Sequence, residues 1–357
     1  MYEYFWVPLF ALVFSAATVL LIRPLALRGG LLDRPGGRKR HDGEVPLVGG
    51  IAVTFSVCVA AMFFLSSKGY YIALLGGLAV LAVAGMVDDL RGISPLPKLA
   101  IQIFAAILMT SWGNVYLMSL GDIVGRREIE LLNWGIPLTL FAVVAVINAM
   151  NMIDGLDGLA GGMAFIIFAW MTYLATEIGN IPAQRMCAVF SGALLGFLLF
   201  NMRTPLRGRR RVFLGDAGSL MLGYGIVWFA VELSQPAYNH GRSVPPVVML
   251  WIAGFLLIDL LAVVTRRVVK GRNPLEADRT HMHHILQRLN VPQDMIVWII
   301  LFSNALLGLI GVMGWKQGVS EQVLFLGFLL VALLHLLVMR NAWRFIRLGR
   351  RVLRRRS

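Results

Sequence analysis

The sequence has few charged residues and no long polar stretch. Charged residues make up 15% of the 357 positions, whereas hydrophobic residues make up 58%. A water-soluble protein has no interior large enough for so much apolar surface, so the composition excludes a soluble globular protein. Because no polar stretch is long enough to hold a core of its own, we expect a single domain over residues 1–339.

Cysteine is also scarce. The two cysteines, Cys58 and Cys187, both fall within apolar runs. Two such residues exclude a disulfide framework, and their spacing excludes a cysteine-rich metal site. We interpret both as packing residues.

The sequence is instead rich in apolar runs of about 20 residues, the length that spans a membrane as a helix. This pattern predicts an all-α, polytopic transmembrane helical bundle of about eleven spans. The first run begins without a basic leader, so we expect no cleavable signal peptide. The predicted spans are 4–23, 47–66, 71–87, 98–117, 133–150, 160–177, 185–202, 217–233, 245–265, 294–314 and 320–339.

Acidic residues are few, since 19 Asp and Glu stand against 33 Lys and Arg, for a net charge of +14. With eleven spans and an external N-terminus, all but six of the basic residues lie on the cytoplasmic side. This bias indicates topology, so we interpret the excess charge as orientation and not as a nucleic-acid surface. The basic segment 340–357 is predicted to be a cytoplasmic tail that contacts anionic lipid.

The unusual polar residues lie at span ends on that same predicted side. Carboxylates and amides at a membrane edge are costly to keep and therefore suggest function. The longest such stretch, NAMNMIDGLDGLAGG, covers 148–162 and is rich in glycine, which lets a backbone approach a ligand closely. The residues concerned are Asp88, Asp89, Asn148, Asn151, Asp154, Asp157, Asn201, Asp216, His281, His283 and His284.

Each of these groups also has a purely structural interpretation. Asp88 and Asp89 suit a solvated helix cap, DGLDG suits a turn with Asx bonding, and Asp216 suits an N-cap. Adjacent carboxylates, however, favour a nearby cation or a raised pKa, and the small residues 215–219 open a helix whose start can bind phosphate. Together these features favour phosphoryl transfer from a nucleoside diphosphate with Mg²⁺, or with Mn²⁺ as the alternative.

For the histidines, zinc is disfavoured because the neighbouring ligands are hard carboxylates and no cysteine is near. Phosphate or sugar binding is the preferred interpretation.

A transporter and a scaffold are the two alternative classes of protein. A transporter would place its charges at mid-depth, and the predicted spans are largely free of them. The exceptions, Glu232 and Asp259, each lie near a span end or interface. A scaffold would not need acidic residues at several separate span ends.

Five stretches together resemble the polyprenyl-phosphate N-acetylhexosamine-1-phosphate transferases: 31–50, 87–89, 148–162, 212–219 and 278–284. His-Met-His-His is similar to the branch that uses N-acetylglucosamine. The resemblance implies a bundle of ten or eleven spans in the bacterial inner membrane, with a cytoplasmic active-site cleft, a periplasmic N-terminus and a cytoplasmic C-terminus.

The resemblance also implies a reaction. N-acetylglucosamine 1-phosphate passes from UDP-N-acetylglucosamine to undecaprenyl phosphate and UMP is released, as the first lipid-linked step of an envelope polysaccharide such as the O-antigen of lipopolysaccharide. Another UDP-N-acetylhexosamine (GalNAc, QuiNAc or FucNAc) stays an alternative donor. The oligomeric state stays open, a homo-oligomer included. Direct attack by the lipid phosphate is preferred to two-step transfer through an aspartyl-phosphate.

Finally, the resemblance implies residue roles. Asp88 resembles the base that deprotonates the lipid phosphate, with Asp89 beside it, Lys98 resembles a diphosphate-binding lysine, and Phe213 resembles a ring that stacks on uracil. The catalytic set is Asp88, Asp89, Asp157 and His281. The substrate-binding set is Lys98, Asn151, Asp154, Gly155, Leu156, Phe213, His283 and His284. The metal-binding set is Asn201 and Asp216.

Overall fold

The computed structural model describes residues 3–33, 43–65, 68–203, 210–239, 241–269, 271 and 281–341. The chain divides into two compact units, which we call unit 1 (Met1–Leu120 and Glu130–Pro246) and unit 2 (Gly121–Ile129 and Val247–Ser357). The predicted tail after Asn341 and residues 278–280 of the histidine motif lie outside the described residues. The single domain over 1–339 stays a prediction.

Unit 1 is built from helices joined by short connections. A π-helical turn, Leu108–Trp112, continues α4, and 3₁₀ turns at Leu132–Trp134 and Pro236–Tyr238 precede α5 and follow α8. The helices are α1 (Glu3–Gly29), α2 (Gly49–Phe64), α3 (Lys68–Arg91), α4 (Pro95–Ile107), α5 (Gly135–Ile153), α6 (Leu159–Ile178), α7 (Ile181–Asn201) and α8 (Gly215–Ser234).

One small sheet corrects the all-α prediction. Strands β1 (Leu32–Asp33) and β2 (Val45–Pro46) pair antiparallel between α1 and α2. The pairing extends through Leu47 N–H, which donates to Leu31 O at 3.1 Å, and Phe213 N–H, which donates to Pro46 O at 2.9 Å. Buried backbone groups outside helices need such partners, and these bonds supply them on both sides of β2.

Unit 2 contains the last five helices, the first of which starts at the last residue of unit 1. They are α9 (Pro246–Ile252), α10 (Gly254–Val269), α11 (Met282–Arg288), α12 (Gln293–Lys316) and α13 (Glu321–Arg340). Helices α9 and α10 meet at an angle of 83°. Buried Asn304 stabilises this break, because its side chain accepts from Phe255 N–H and donates to Ile252 O, both at 3.1 Å. The predicted span 245–265 is therefore interrupted.

Across the described residues, nine helices are long and apolar enough to cross a membrane, or ten if α9 and α10 together form one broken span. The prediction of a polytopic helical membrane protein is confirmed. The predicted span 47–66 corresponds to α2, which has 16 residues and is shorter than the about 20 that a span usually needs.

Helix α8 forms the core of unit 1 and carries Asp216 at its start. All residues of α8 except Asp216 and Ala230 are buried, and the helix packs against α2, α3, α5 and α6. Glycine allows the closest of these approaches: a Cβ on Gly218 would lie 2.8 Å from the Cα of Gly50. The start of α8 is therefore held tightly against α2.

Candidate active site

Asp89 of α3 caps the start of α8. Its carboxylate accepts from the backbone N–H groups of Asp216 and Ala217, at 3.1 and 3.4 Å, and so satisfies donors that have no partner within the helix. Gly215, with φ of +72°, brings the chain to this carboxylate, since a Cβ there would lie 2.6 Å from Asp89 Oδ2. Asp89 therefore acts as a helix cap in this structure, for α8. Its catalytic role stays a prediction.

Lys98 of α4 joins Asp88 to Asp216. Its Nζ lies 2.5 Å from Asp88 Oδ2 and also donates to Asp216 Oδ2, while Asp88 Oδ1 accepts from Ile93 N–H at 2.6 Å. The Asp88, Lys98 and Asp216 side chains are 12%, 20% and 30% exposed, so water screens these charges less than it screens a surface pair. One ammonium group between two carboxylates leaves net negative charge.

Asn151 of α5 holds the other oxygen of Asp216. Its Nδ2 donates to Asp216 Oδ1 at 2.8 Å and contacts Ser219 Oγ at 3.0 Å. One turn earlier, Asn148 donates to Gln102 Oε1 of α4 at 2.7 Å. These amides fix α4, α5 and α8 relative to one another and orient the Asp216 carboxylate.

The turn between α5 and α6 carries three of the predicted substrate-binding residues, Asp154, Gly155 and Leu156. Gly155 is exposed, Leu156 is buried and Asp154 is half-buried. Burial, followed by the charges of Asp216 and Asp89, raises the pKa of Asp154 from 3.8 to about 8. Asp154 therefore favours a proton at neutral pH, or a cation in its place.

Arg211 links Asp157 to Phe213. Its guanidinium contacts Asp157 at 2.8 Å and lies 4.6 Å from the centroid of the Phe213 ring. Arg203 approaches the same carboxylate at 3.5 Å. The structure thus brings two predicted site residues, Asp157 and Phe213, together through Arg211, which the sequence analysis did not single out.

Asn201, predicted to bind metal, makes two structural bonds at the end of α7. Its Oδ1 accepts from Gly158 N–H at 2.6 Å, and its Nδ2 donates to Val212 O at 2.9 Å. The side chain thereby ties α7 to the start of α6 and to the segment before α8. An amide oxygen has two lone pairs, so the metal role stays a prediction beside this observed one.

The oxygen ligands of unit 1 suit a hard divalent cation. Asp88, Asp154 and Asp216 offer carboxylates, which Mg²⁺ prefers, and the negative charges of Asp216 and Asp89 add to burial in raising the pKa of Asp154. Within the described residues, no three His, Cys, Asp or Glu side chains form a ready-made metal cluster. Mg²⁺ usually takes one or two carboxylates and completes its shell with water and substrate oxygens.

Unit 2 holds the predicted histidines. Buried His281 has its Nδ1 2.7 Å from Asp259 Oδ2. The His283 ring lies 5.7 Å from the ring of His281 and 4.1 Å from that of His284, whose Nδ1 contacts Gln287 Oε1 at 3.1 Å. Burial and the neighbouring imidazoles lower the pKa of His283 to about 3, so this ring is neutral at physiological pH.

Four contributing side chains were not selected from the sequence. Ser219 had a usable signal, because it lies three residues after Asp216 and so on the same helix face. Arg211 was hidden in a basic run that topology explained. Asp259 had a signal as a charged residue within a predicted span, but its partner His281, 22 positions away, could not be inferred from it. His335, whose Nε2 lies 3.3 Å from Asp259 Oδ1, had none.

Ion-paired carboxylates and amides lie at the ends of helices that are long and apolar enough to cross a membrane. The fold and the site therefore define an integral membrane protein with a charged polar site. The family model of glycosyl transferase family 4 matches residues 71–234, a range that contains Asp88, Lys98, Asn151 and Asp216.

Similarity to named proteins extends over nearly the whole chain. The undecaprenyl-phosphate alpha-N-acetylglucosaminyl 1-phosphate transferase of Haemophilus influenzae is 37% identical over 339 residues, which cover 95% of this chain and 94% of that protein. Proteins of the same name from Yersinia pestis and Escherichia coli O157:H7 are 35% and 37% identical, over 97% and 96% of this chain and 94% and 93% of their own lengths. The chain belongs to glycosyl transferase family 4, and the family resemblance predicted from its motifs is confirmed.

Proposed function

We propose that this protein transfers N-acetylglucosamine 1-phosphate from UDP-N-acetylglucosamine to undecaprenyl phosphate, forming the lipid diphosphate sugar and UMP. The observation that carries the proposal is the linked arrangement of Asp88, Lys98 and Asp216 at the start of α8, in a chain with nearly full-length similarity to transferases of that name. A cation beside paired carboxylates suits a reaction between two anions.

In the proposed mechanism, an oxygen of the lipid phosphate attacks the β-phosphorus of the sugar nucleotide. The bond from that phosphorus to the bridging oxygen breaks, and UMP leaves with the electron pair. Asp88 accepts the proton of the lipid phosphate, and Lys98 binds a diphosphate oxygen. Asp89 and Asn151 orient Asp216 through the bonds described above.

Asp216 and Asp154 would hold Mg²⁺, with Asn201 Oδ1 as a further ligand. The bound ion would neutralise charge on the diphosphate and orient it. For the nucleoside, Phe213 stacks on the base once Arg211 moves from its face, while the turn 154–157 contacts the uridine. This assignment is supported by the half-buried position of Phe213 and by the salt bridge that places Arg211 over it.

We also propose that α2 crosses the membrane, so that the chain has eleven spans with a periplasmic N-terminus and a cytoplasmic site. The apolar composition of α2 supports this, as does the distribution of Lys and Arg among the connections. In that topology the apolar acceptor reaches the site from the inner leaflet, and the soluble nucleotide reaches it from the cytoplasm of a bacterial inner membrane.

The test is transfer by the purified protein. UDP-N-acetylglucosamine labelled in the sugar is incubated with undecaprenyl phosphate and Mg²⁺, and label is counted in the organic phase while UMP is measured in the aqueous phase. We expect equal amounts of both products. UDP-GalNAc, UDP-QuiNAc and UDP-FucNAc run in parallel, and a faster reaction with one of them would replace the proposed donor. No lipid product from any donor would refute the proposal.

The one-step mechanism has its own test. The protein is incubated with β-³²P-labelled sugar nucleotide in the absence of lipid and then denatured. Direct attack predicts no protein-bound label. Stoichiometric label on an aspartate would establish a two-step route instead.

A further inference from the structure

Asp259 is a buried carboxylate inside α10, 3% exposed, to which the family comparison gives no role. Its two oxygens meet three polar groups from the rest of unit 2. Oδ2 lies 2.7 Å from His281 Nδ1, whereas Oδ1 accepts from Met282 N–H at 3.1 Å and lies 3.3 Å from His335 Nε2. The carboxylate therefore connects α10 with the start of α11 and with α13.

The chemistry of these contacts fixes the tautomer of His281. An ionised carboxylate can only accept hydrogen bonds, so the ring nitrogen facing it must carry the hydrogen. His281 therefore holds its hydrogen on Nδ1, and in the neutral ring Nε2 has a free lone pair. The ring of His283 lies nearly parallel to that of His281, with the ring centroids 5.7 Å apart.

The lone-pair nitrogen is itself unusual. His281 is 3% exposed, and within the described part of the chain its Nε2 is buried with no hydrogen-bond partner. Buried polar atoms are seldom left unpaired, and one that is asks for an explanation. Because Nε2 has an acceptor lone pair, the partner it suits is a hydroxyl or an amide N–H.

We propose that Asp259 is the positioning residue of His281: it holds the Nδ1–H tautomer so that Nε2 accepts a hydrogen bond from a hydroxyl or the acetamido N–H of the bound sugar. This inference rests on the proposed function, because it takes an N-acetylated sugar nucleotide as the ligand. Asp259 itself does not touch the substrate.

Asp259→Asn tests the tautomer directly. The amide keeps the size of the carboxylate and can still accept from Met282 N–H, but its NH₂ group then faces His281 and requires a lone pair on Nδ1. In protein labelled with ¹⁵N-histidine, with the His281 signals assigned by their loss in His281→Gln, we expect a protonated Nδ1 in the wild type and a protonated Nε2 in the variant. The same tautomer in both proteins would overturn the inference.

The kinetic test separates positioning from general damage. In Asp259→Asn we expect KM for the sugar nucleotide to rise roughly 10- to 100-fold, as when the carboxylate partner of a functional imidazole is lost, with KM for undecaprenyl phosphate unchanged. Asp259→Glu, which keeps an acceptor-only group, should recover part of the loss. Asp294→Asn, the same change at an exposed position of unit 2, should match the wild type.

The outcomes distinguish this inference from the proposed function. An inactive wild-type protein refutes the function, whereas an active wild type with an unchanged Asp259→Asn refutes the positioning role. An equal rise in both KM values, or a loss of folded protein in Asp259→Glu as well as Asp259→Asn, would make Asp259 a structural residue only.

Discussion

Unit 1 gathers Asp88, Lys98 and Asp216 into one chain of ion pairs, whereas unit 2 surrounds the single carboxylate of Asp259 with two imidazoles and a backbone N–H. The first arrangement leaves negative charge that a bound cation would balance. The second balances its carboxylate with hydrogen-bond donors from within the same unit. The difference suggests that unit 1 supplies charge for chemistry and that unit 2 supplies orientation for recognition.

The largest effect should follow from removing charge in unit 1. Asp216→Asn keeps the helix start and its bond with Asn151, but it removes the carboxylate that contacts Lys98. We expect transfer to fall by about 10³-fold, the upper range for loss of one electrostatic group in an active site. Initial rates of lipid-product formation measure it, with Asp294→Asn as the control. Activity within a few fold of wild type would contradict the assignment of the charged, reactive groups to unit 1.

A smaller loss is expected when the cation of the same chain is removed. Lys98→Met keeps the length of the side chain but leaves two carboxylates without their shared ammonium group. We expect kcat/KM for the sugar nucleotide to fall by about 10²-fold, with part of the loss recovered in Lys98→Arg. Steady-state kinetics at saturating lipid measure this. A fall in kcat/KM for the lipid substrate alone would argue against a diphosphate contact.

Nucleotide stacking should contribute less. Phe213→Ala is expected to raise KM for the nucleotide roughly 10-fold, the scale of one base–aromatic contact, with kcat preserved. The matched control is Phe302→Ala, at a position of unit 2 that is 70% exposed. An effect on kcat with KM unchanged would contradict stacking.

The smallest expected effect is a difference between the two units in how stability depends on pH. Asp154 has its pKa raised from 3.8 to about 8, so the stability it contributes is complete below 3.8 and is lost as pH rises toward 8. His283 has its pKa lowered from 6.5 to about 3, so its contribution is complete above 6.5 and is lost as pH falls toward 3.

Melting temperatures in metal-free detergent should therefore respond in opposite directions. Asp154→Asn should flatten the decline that runs from pH 3.8 up to about 8, and His283→Asn should flatten the decline that runs from pH 6.5 down to about 3, each by roughly 2–4 °C. Added Mg²⁺ should restore the stability that the wild type loses as the pH rises toward 8 and should leave the loss toward pH 3 unchanged. Identical pH profiles for wild type and both variants would show that neither group is displaced from its ordinary pKa.

The two units also differ in how far the sequence predicted them. In unit 1 the site residues lie at span ends. The order of the apolar runs and the distribution of Lys and Arg were enough to place Asp88, Asn151 and Asp216 on one predicted side. Span length was less informative, because α2 is short and a break at Ala253 interrupts the predicted span 245–265. The break depends on Asn304, a polar residue within an apolar run about 50 positions away, which no local pattern identifies.

The least predictable features were the hydrogen bonds between residues that lie far apart in the sequence. The roles of Asp89 as a cap and of Asn201 as a tie between backbone segments depend on donors from other helices. The same is true of Asp259, whose partners lie on two further helices. Local periodicity reports which face of a helix a residue occupies, but it does not report which distant group meets that face.

A divalent cation held by the carboxylates of unit 1 is central to the proposed mechanism. Electron paramagnetic resonance of Mn²⁺, used in place of Mg²⁺, measures this directly on purified protein with and without UDP-N-acetylglucosamine. We predict one nucleotide-dependent Mn²⁺ per chain in the wild type and in Asp259→Asn at saturating nucleotide, and none in Asp216→Asn. Equal Mn²⁺ binding by the wild type and Asp216→Asn would contradict the account.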